Sequence, residues 1–138
     1  MKLAIFVLVG ILVFVGLGEG KTIKVPGDYP TIQQAINAAM YGNTVLVDPG
    51  TYNENIDFLG KTITVKSSQG ADKTTIDGRQ QGSVVQFVSL EGTASLLEGF
   101  TIKNGAKDSG GGVYCVLSSP TIDSNITVSY THLTLPTN

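Results

Sequence analysis

Four short segments of this chain repeat one another, and that repetition limits the fold more than any other feature. They are Asn55-Ile56-Asp57, Thr75-Ile76-Asp77-Gly78, Thr101-Ile102-Lys103-Asn104-Gly105 and Thr121-Ile122-Asp123-Ser124-Asn125. Their isoleucines stand at positions 56, 76, 102 and 122, two equal intervals around a longer middle one whose excess fits a loop at 89–94. Other stretches alternate apolar and polar residues between Gly, Asp, Asn or Ser: Thr44-Val-Leu-Val-Asp48, Lys61-Thr-Ile-Thr-Val-Lys66, Ser83-Val-Val-Gln-Phe-Val-Ser89 and Gly112-Val-Tyr-Cys-Val-Leu117. A period of about 20 residues made of strands and turns predicts a solenoid. With strands alone, and without the leucine spacing of a leucine-rich horseshoe, the expected coil is a β-helix.

In such a coil equivalent side chains stack about 4.8 Å apart. The expectation is therefore an inward column of Ile56, Ile76, Ile102 and Ile122, with Asp77-Gly78 and Asn104-Gly105 turning corners. No single turn of a coil can bury its apolar surface, so the ends need caps. One cap is predicted at the N-terminal side. Thr31-Ile-Gln-Gln34 has the form of a capping box, and Ile32, Ala35, Ile36 and Ala39 make one apolar stripe. A helix is expected from Thr31 to Tyr41, stopped by Gly42.

Both ends of the sequence are set apart from this unit. Met1-Lys2 precedes sixteen uncharged, mostly apolar residues, 3–18, and then Glu19-Gly20-Lys21. That pattern describes a secretory signal peptide over 1–20; an uncleaved anchor is the alternative, since the run approaches the roughly 20 residues of a membrane span. At the other end, Val128 to Asn138 match the translation of a transposase sequencing adapter, GTC TCT TAT ACA CAT CTG ACG CTG CCG ACG giving the first ten residues. Thr127 and Asn138 agree with the adapter bases on either side. Residues 127–138 are accordingly expected to be adapter-derived, leaving the native coil incomplete after Ile126. The single histidine, His132, then lies in the artefact and supports neither a triad nor a metal site. The expected organisation is a signal peptide at 1–20, an N-terminal segment with the capping helix at 21–43, and coil turns at 44–126. The cut face at 121–126 is expected to be an exposed apolar edge prone to aggregation.

Composition excludes some classes of function. A net charge of −2 gives no electrostatic footprint for nucleic acid. Lone Cys115 forms no internal bridge, and its alternating surroundings predict a buried small side chain. No membrane contact is expected beyond the signal segment, and the sequence leaves the oligomeric state open.

Two segments carry a family resemblance. Gly27-Asp-Tyr-Pro-Thr-Ile-Gln-Gln-Ala-Ile-Asn-Ala-Ala39 is followed by Thr44-Val-Leu-Val-Asp-Pro-Gly-Thr-Tyr-Asn-Glu-Asn-Ile56. Together they resemble the opening of pectin lyase-like right-handed parallel β-helix proteins. Leu97-Glu-Gly-Phe-Thr-Ile-Lys-Asn-Gly105 and Gly110-Gly-Gly-Val-Tyr114 resemble exported β-helix repeat proteins more closely than pectin methylesterases. The resemblance implies an all-β, right-handed parallel β-helix with an N-terminal capping α-helix, truncated at the C-terminus. It also implies that catalytic groups lie on later turns. The methylesterase segments Gln-Asp-Thr-Leu and Asp-Phe-Ile-Phe-Gly are absent, so no catalytic residue is carried over.

Among the residues themselves, Asp57, Asp77, Lys103 and Asp123 follow the repeated isoleucines and are expected to form an outward ladder. Asp57 and Asp77 are the candidate metal ligands, as like charges about 5 Å apart on adjacent turns. Calcium is the cofactor the full-length coil could take, although two carboxylates are few for it. A solvated charge ladder is the plainer reading. Glu54 is read as bonding backbone near the first turn, Asp108-Ser-Gly-Gly-Gly112 as a corner, and Tyr114 as no sugar platform. The sequon Asn125-Ile-Thr127 is set aside because Thr127 is partly adapter-coded. Three functions remain open: a secreted or cell-surface protein that binds or acts on extracellular polysaccharide (as lyase, hydrolase or epimerase), an adhesin-like scaffold without enzymatic activity, or a pectin methylesterase fragment.

Overall fold

The computed structural model describes residues 20–128 except 107 and 109; the expected signal peptide and all but the first two residues of the expected adapter segment lie outside them. The chain runs β1 (Thr22–Val25), α1 (Ile32–Ala38), β2 (Thr44–Val47), β3 (Gly50–Tyr52), β4 (Ile56–Asp57), β5 (Thr64–Ser67), β6 (Thr74–Asp77) and β7 (Val85–Phe87). It continues through β8 (Leu96–Glu98), β9 (Thr101–Lys103), β10 (Val113–Cys115), β11 (Thr121–Asp123) and β12 (Ile126–Val128). These strands form three sheets in the orders β1-β2-β5-β8-β11, β3-β6-β9-β12 and β4-β7-β10, with every pairing parallel. Three complete turns each give one strand to each sheet, β1 preceding them and β11 and β12 following, so the chain is a parallel β-solenoid of about 4 turns.

The register corrects the expected isoleucine column. Ile76 does stack on Ile102. Ile56, however, pairs with Val85, and Ile122 pairs with Leu97, each in a different sheet. The cause is that all three sheets ask the same thing of a strand, an inward apolar residue between two outward polar ones. The Thr-Ile-Asp unit therefore measured strand similarity and not one turn of the coil. Turn length is in fact uneven: Thr44 pairs with Thr64, but Thr64 pairs with Leu96, so the second of these turns is more than half as long again.

Inward columns build the core. Ile23, Val45, Val65 and Leu97 fill one wall, and Ile56 with Val85 another. Phe58 and Phe87 stack with ring centroids 4.3 Å apart, and both are fully buried. Corners use the left-handed backbone that Asn104 (φ 59) supplies as expected, but at the preceding turn Arg79 (φ 53) and Gln80 (φ 62) adopt it. Gly78 serves there through close approach: a Cβ would lie 2.7 Å from the Val84 side chain and 3.0 Å from the Asn104 carbonyl.

The helix caps the coil from residues far away in sequence. Thr31 is the N-cap, its hydroxyl accepting from the Gln34 N–H at 3.1 Å. Glu54 adds a carboxylate that accepts from the N–H groups of Ile32 (2.8 Å) and Gln33 (2.9 Å). At the other end the Lys61 ammonium donates to the carbonyls of Ile36, Asn37 and Ala39, each at 2.8 Å. Opposite charges thus sit at the two ends of the helix dipole. This replaces the expected extension to Tyr41: Ala39 is already extended (ψ 148), because Lys61 takes the last carbonyls. Gln33 completes the docking. Its amide donates to the Asp57 carbonyl (3.1 Å) and accepts from the Asp57 N–H (2.7 Å), so it stands in for a strand at the edge of β4.

Candidate functional site on the outer faces of the coil

Three carboxylates with close partners distant in sequence, Glu54, Asp77 and Glu91, are the places to look for chemistry, and each proves to be held by backbone or by a neighbour. Glu54 caps α1 as described; the sequence reading placed its bonds on turn backbone, and they fall on the helix start instead. Asp77 faces Lys103 on the next turn, the one step of the expected charge ladder that forms, with nitrogen and oxygen 3.9 Å apart. Burial alone would raise the Asp77 pKa. Hydrogen bonds from the Asn104 amide and the Arg79 N–H, helped by the Lys103 and Arg79 charges, outweigh it and hold the carboxyl below its ordinary range.

Glu91 had no role in the sequence reading and is the most embedded acid among the described residues, 2% exposed. Its Oε1 accepts from the Gly60 N–H at 2.9 Å. Its Oε2 accepts from the Ser89 N–H at 2.9 Å and the Ser118 hydroxyl at 2.8 Å. One carboxylate therefore ties the corners of three successive turns. Burial would raise its pKa, but these donors win and the pKa is lowered. The only signal in the sequence was its place in the excess segment at 89–94.

The remaining expected ladder does not assemble. Asp57 lies across from Gln86 in the β4-β7-β10 sheet, and Asp123 across from Glu98 in the β1-β2-β5-β8-β11 sheet. Asp57 and Asp77 thus belong to different sheets and are not the adjacent like charges expected of a cation site. Among the described residues no three His, Cys, Asp or Glu side chains converge as metal ligands. Cys115 is a second correction: it is exposed. It ends the inward column of Phe58 and Phe87, and among the described residues no further strand lies beside β10 to cover it. Partial burial and then the Glu91 charge push its thiol up, away from the thiolate a nucleophile needs. Asn125 spends its amide on the coil, donating to the Leu97 carbonyl (2.9 Å) and accepting from the Phe100 N–H (2.8 Å).

What the fold does bring together lies on the outer face of the β4-β7-β10 sheet. Asp57, Gln86 and Tyr114 occupy one axial row, one residue per turn, each half-buried. Two positions past each member of the row, beyond the ends of β4, β7 and β10, Leu59, Val88 and Val116 are exposed. The result is an axial row of hydrogen-bonding side chains with exposed aliphatic residues at the corners beyond it. The sequence reading gave Tyr114 no such place, because the pairing of β10 with β7 is a tertiary fact.

Fold and surface together define a helix-capped parallel β-solenoid with a polar axial track. No protein-family model and no curated protein matches the chain.

Proposed function

We propose that this chain is part of an exported, pectin lyase-like β-helix repeat protein that engages an extended extracellular polysaccharide along the β4-β7-β10 face. The observation that supports this is the axial row of Asp57, Gln86 and Tyr114 flanked by Leu59, Val88 and Val116. A sugar chain offers hydroxyls at its ring edges and C–H faces between them, and successive turns about 4.8 Å apart repeat those demands along one line. Any catalytic step is assigned to further turns of the coil. Isothermal titration of the full chain against soluble neutral and uronic-acid polysaccharides tests this. One polymer should bind, and Gln86→Ala should weaken it about five- to ten-fold, the worth of one hydrogen bond. Binding that Gln86→Ala and Tyr114→Ala leave unchanged, or no binding at all, would sink the proposal.

One observation favours a second reading, a surface scaffold without enzymatic activity. The carboxylates of Glu54, Asp77 and Glu91 are all engaged in holding the coil together. The narrower proposal of a methylesterase has less behind it, since the segments Gln-Asp-Thr-Leu and Asp-Phe-Ile-Phe-Gly do not occur in the sequence.

A further inference from the structure

We propose that the corner following β4, β7 and β10 is a dimer interface, occupied by the same corner of a second copy of this chain. The proposal goes beyond the polysaccharide reading and does not rest on it, since the contact does not need the row of Asp57, Gln86 and Tyr114.

The argument starts from backbone that leucine rarely adopts. Leu59 (φ 59), Leu90 (φ 68) and Leu117 (φ 54) all lie in the left-handed region, one on each of three successive turns. An L side chain crowds its own backbone there, so Gly and Asn are the usual occupants. Asn104 (φ 59) is such a case elsewhere in the coil. The leucines gain little within the chain to offset the strain, because Leu59 is 47%, Leu90 75% and Leu117 83% exposed. Strained and exposed on three turns in succession, these side chains have their use outside the monomer.

The surface around them has the make-up of an interface core. With Val88 and Val116 the leucines present on the order of 450 Å² of apolar side chain. A stable pair buries about 800 Å² on each side, somewhat more than half of it apolar, and the corner supplies that share. The charges along the corner are engaged elsewhere. Asp57 accepts from the Leu59 N–H at 2.8 Å, Lys61 holds the end of α1, and Glu91 is buried in its clasp. That clasp also fixes the three turns relative to one another, so the ridge is preorganised. The occupant follows from the spacing. A ridge with one leucine per turn is complementary to itself: a two-fold axis at Leu90 sets Leu59 of each copy against Leu117 of the other.

Sedimentation of the full chain over a concentration series tests this. Asn suits left-handed backbone, so Leu90→Asn and Leu117→Asn should each fold with a Tm no lower than that of the unaltered chain. The expected result is a closed monomer–dimer equilibrium that Leu90→Asn weakens at least about ten-fold, as for a side chain at the centre of an interface. Leu117→Asn should act in the same direction, and Ile126→Lys should leave the dimer unchanged. A chain still monomeric at about 100 μM, far above the Kd of a specific interface, overturns the proposal. So does a dimer that both asparagine variants leave intact. Open-ended species abolished by Ile126→Lys would place association at the open end of the coil instead, and would overturn it too.

Discussion

The two ends of the coil are built from the same kinds of strand and finished in opposite ways. At the N-terminal end α1 lies over the first turn, with Glu54, Lys61 and Gln33 satisfying its termini and the β4 edge. At the other end β10, β11 and β12 are the outermost strands of their sheets among the described residues. There Ile122, inward beside Leu97, is 43% exposed, whereas Ile76 and Ile102, further up the coil, are fully buried; Ile126, in the outward row of Thr101, is exposed on the outer face. The difference teaches that an inward isoleucine in a solenoid stabilises only when a neighbour lies on both sides of it. Burying such a side chain is worth about 1.5–3 kcal/mol, so position along the axis matters as much as residue type.

The largest effect should come from the clasp between the ends. Glu91→Ala leaves the N–H groups of Gly60 and Ser89 and the Ser118 hydroxyl without their shared acceptor, and should cost about 3 kcal/mol in urea denaturation. Its pKa is lower folded than unfolded, so its contribution is present above the ordinary glutamate range and lost as pH falls through the lowered value. Glu91→Gln should therefore flatten the acid limb of stability against pH; an unchanged limb would show that another group governs it.

The capped end should respond less. Glu54→Ala frees two helix N–H groups while Thr31 still caps a third, for a loss of about 1–2 kcal/mol. Hydrogen exchange should locate that loss in α1 and the β4 edge, and uniform acceleration across all turns would contradict a local cap.

At the open end, stability should barely change. Replacing Ile126, outward on an exposed edge strand, by lysine should shift unfolding by no more than about 0.5 kcal/mol. The same change should suppress concentration-dependent light scattering, because edge charges oppose strand addition. Equal scattering before and after the change would show that this edge does not drive association.

Much of the fold was legible in the sequence. The helical stripe of Ile32, Ala35, Ile36 and Ala39 is buried as expected, and the alternating stretches are strands of a parallel coil. The loop at 89–94 falls between β7 and β8. The site was less legible. The ladder of Asp57, Asp77, Lys103 and Asp123 dissolved into three sheets, leaving one ion pair, and the row of Asp57, Gln86 and Tyr114 went unseen. Glu91 looked like an ordinary polar loop residue, because its partners at 60, 89 and 118 are adjacent only in space.

By itself the sequence determined the elements: alternation of period 2 decides which side chains of a strand turn inward, and an apolar stripe with Thr31 before it decides where a helix starts. These are local properties, set by residues a few positions apart. Only the tertiary structure decided which strand stacks on which, since the short turn from Thr44 to Thr64 and the long one from Thr64 to Leu96 follow from how corners and loops pack. It also decided what the acids do. A carboxylate caps a distant helix, or clasps a corner on another turn, only after the coil has closed the distance between them.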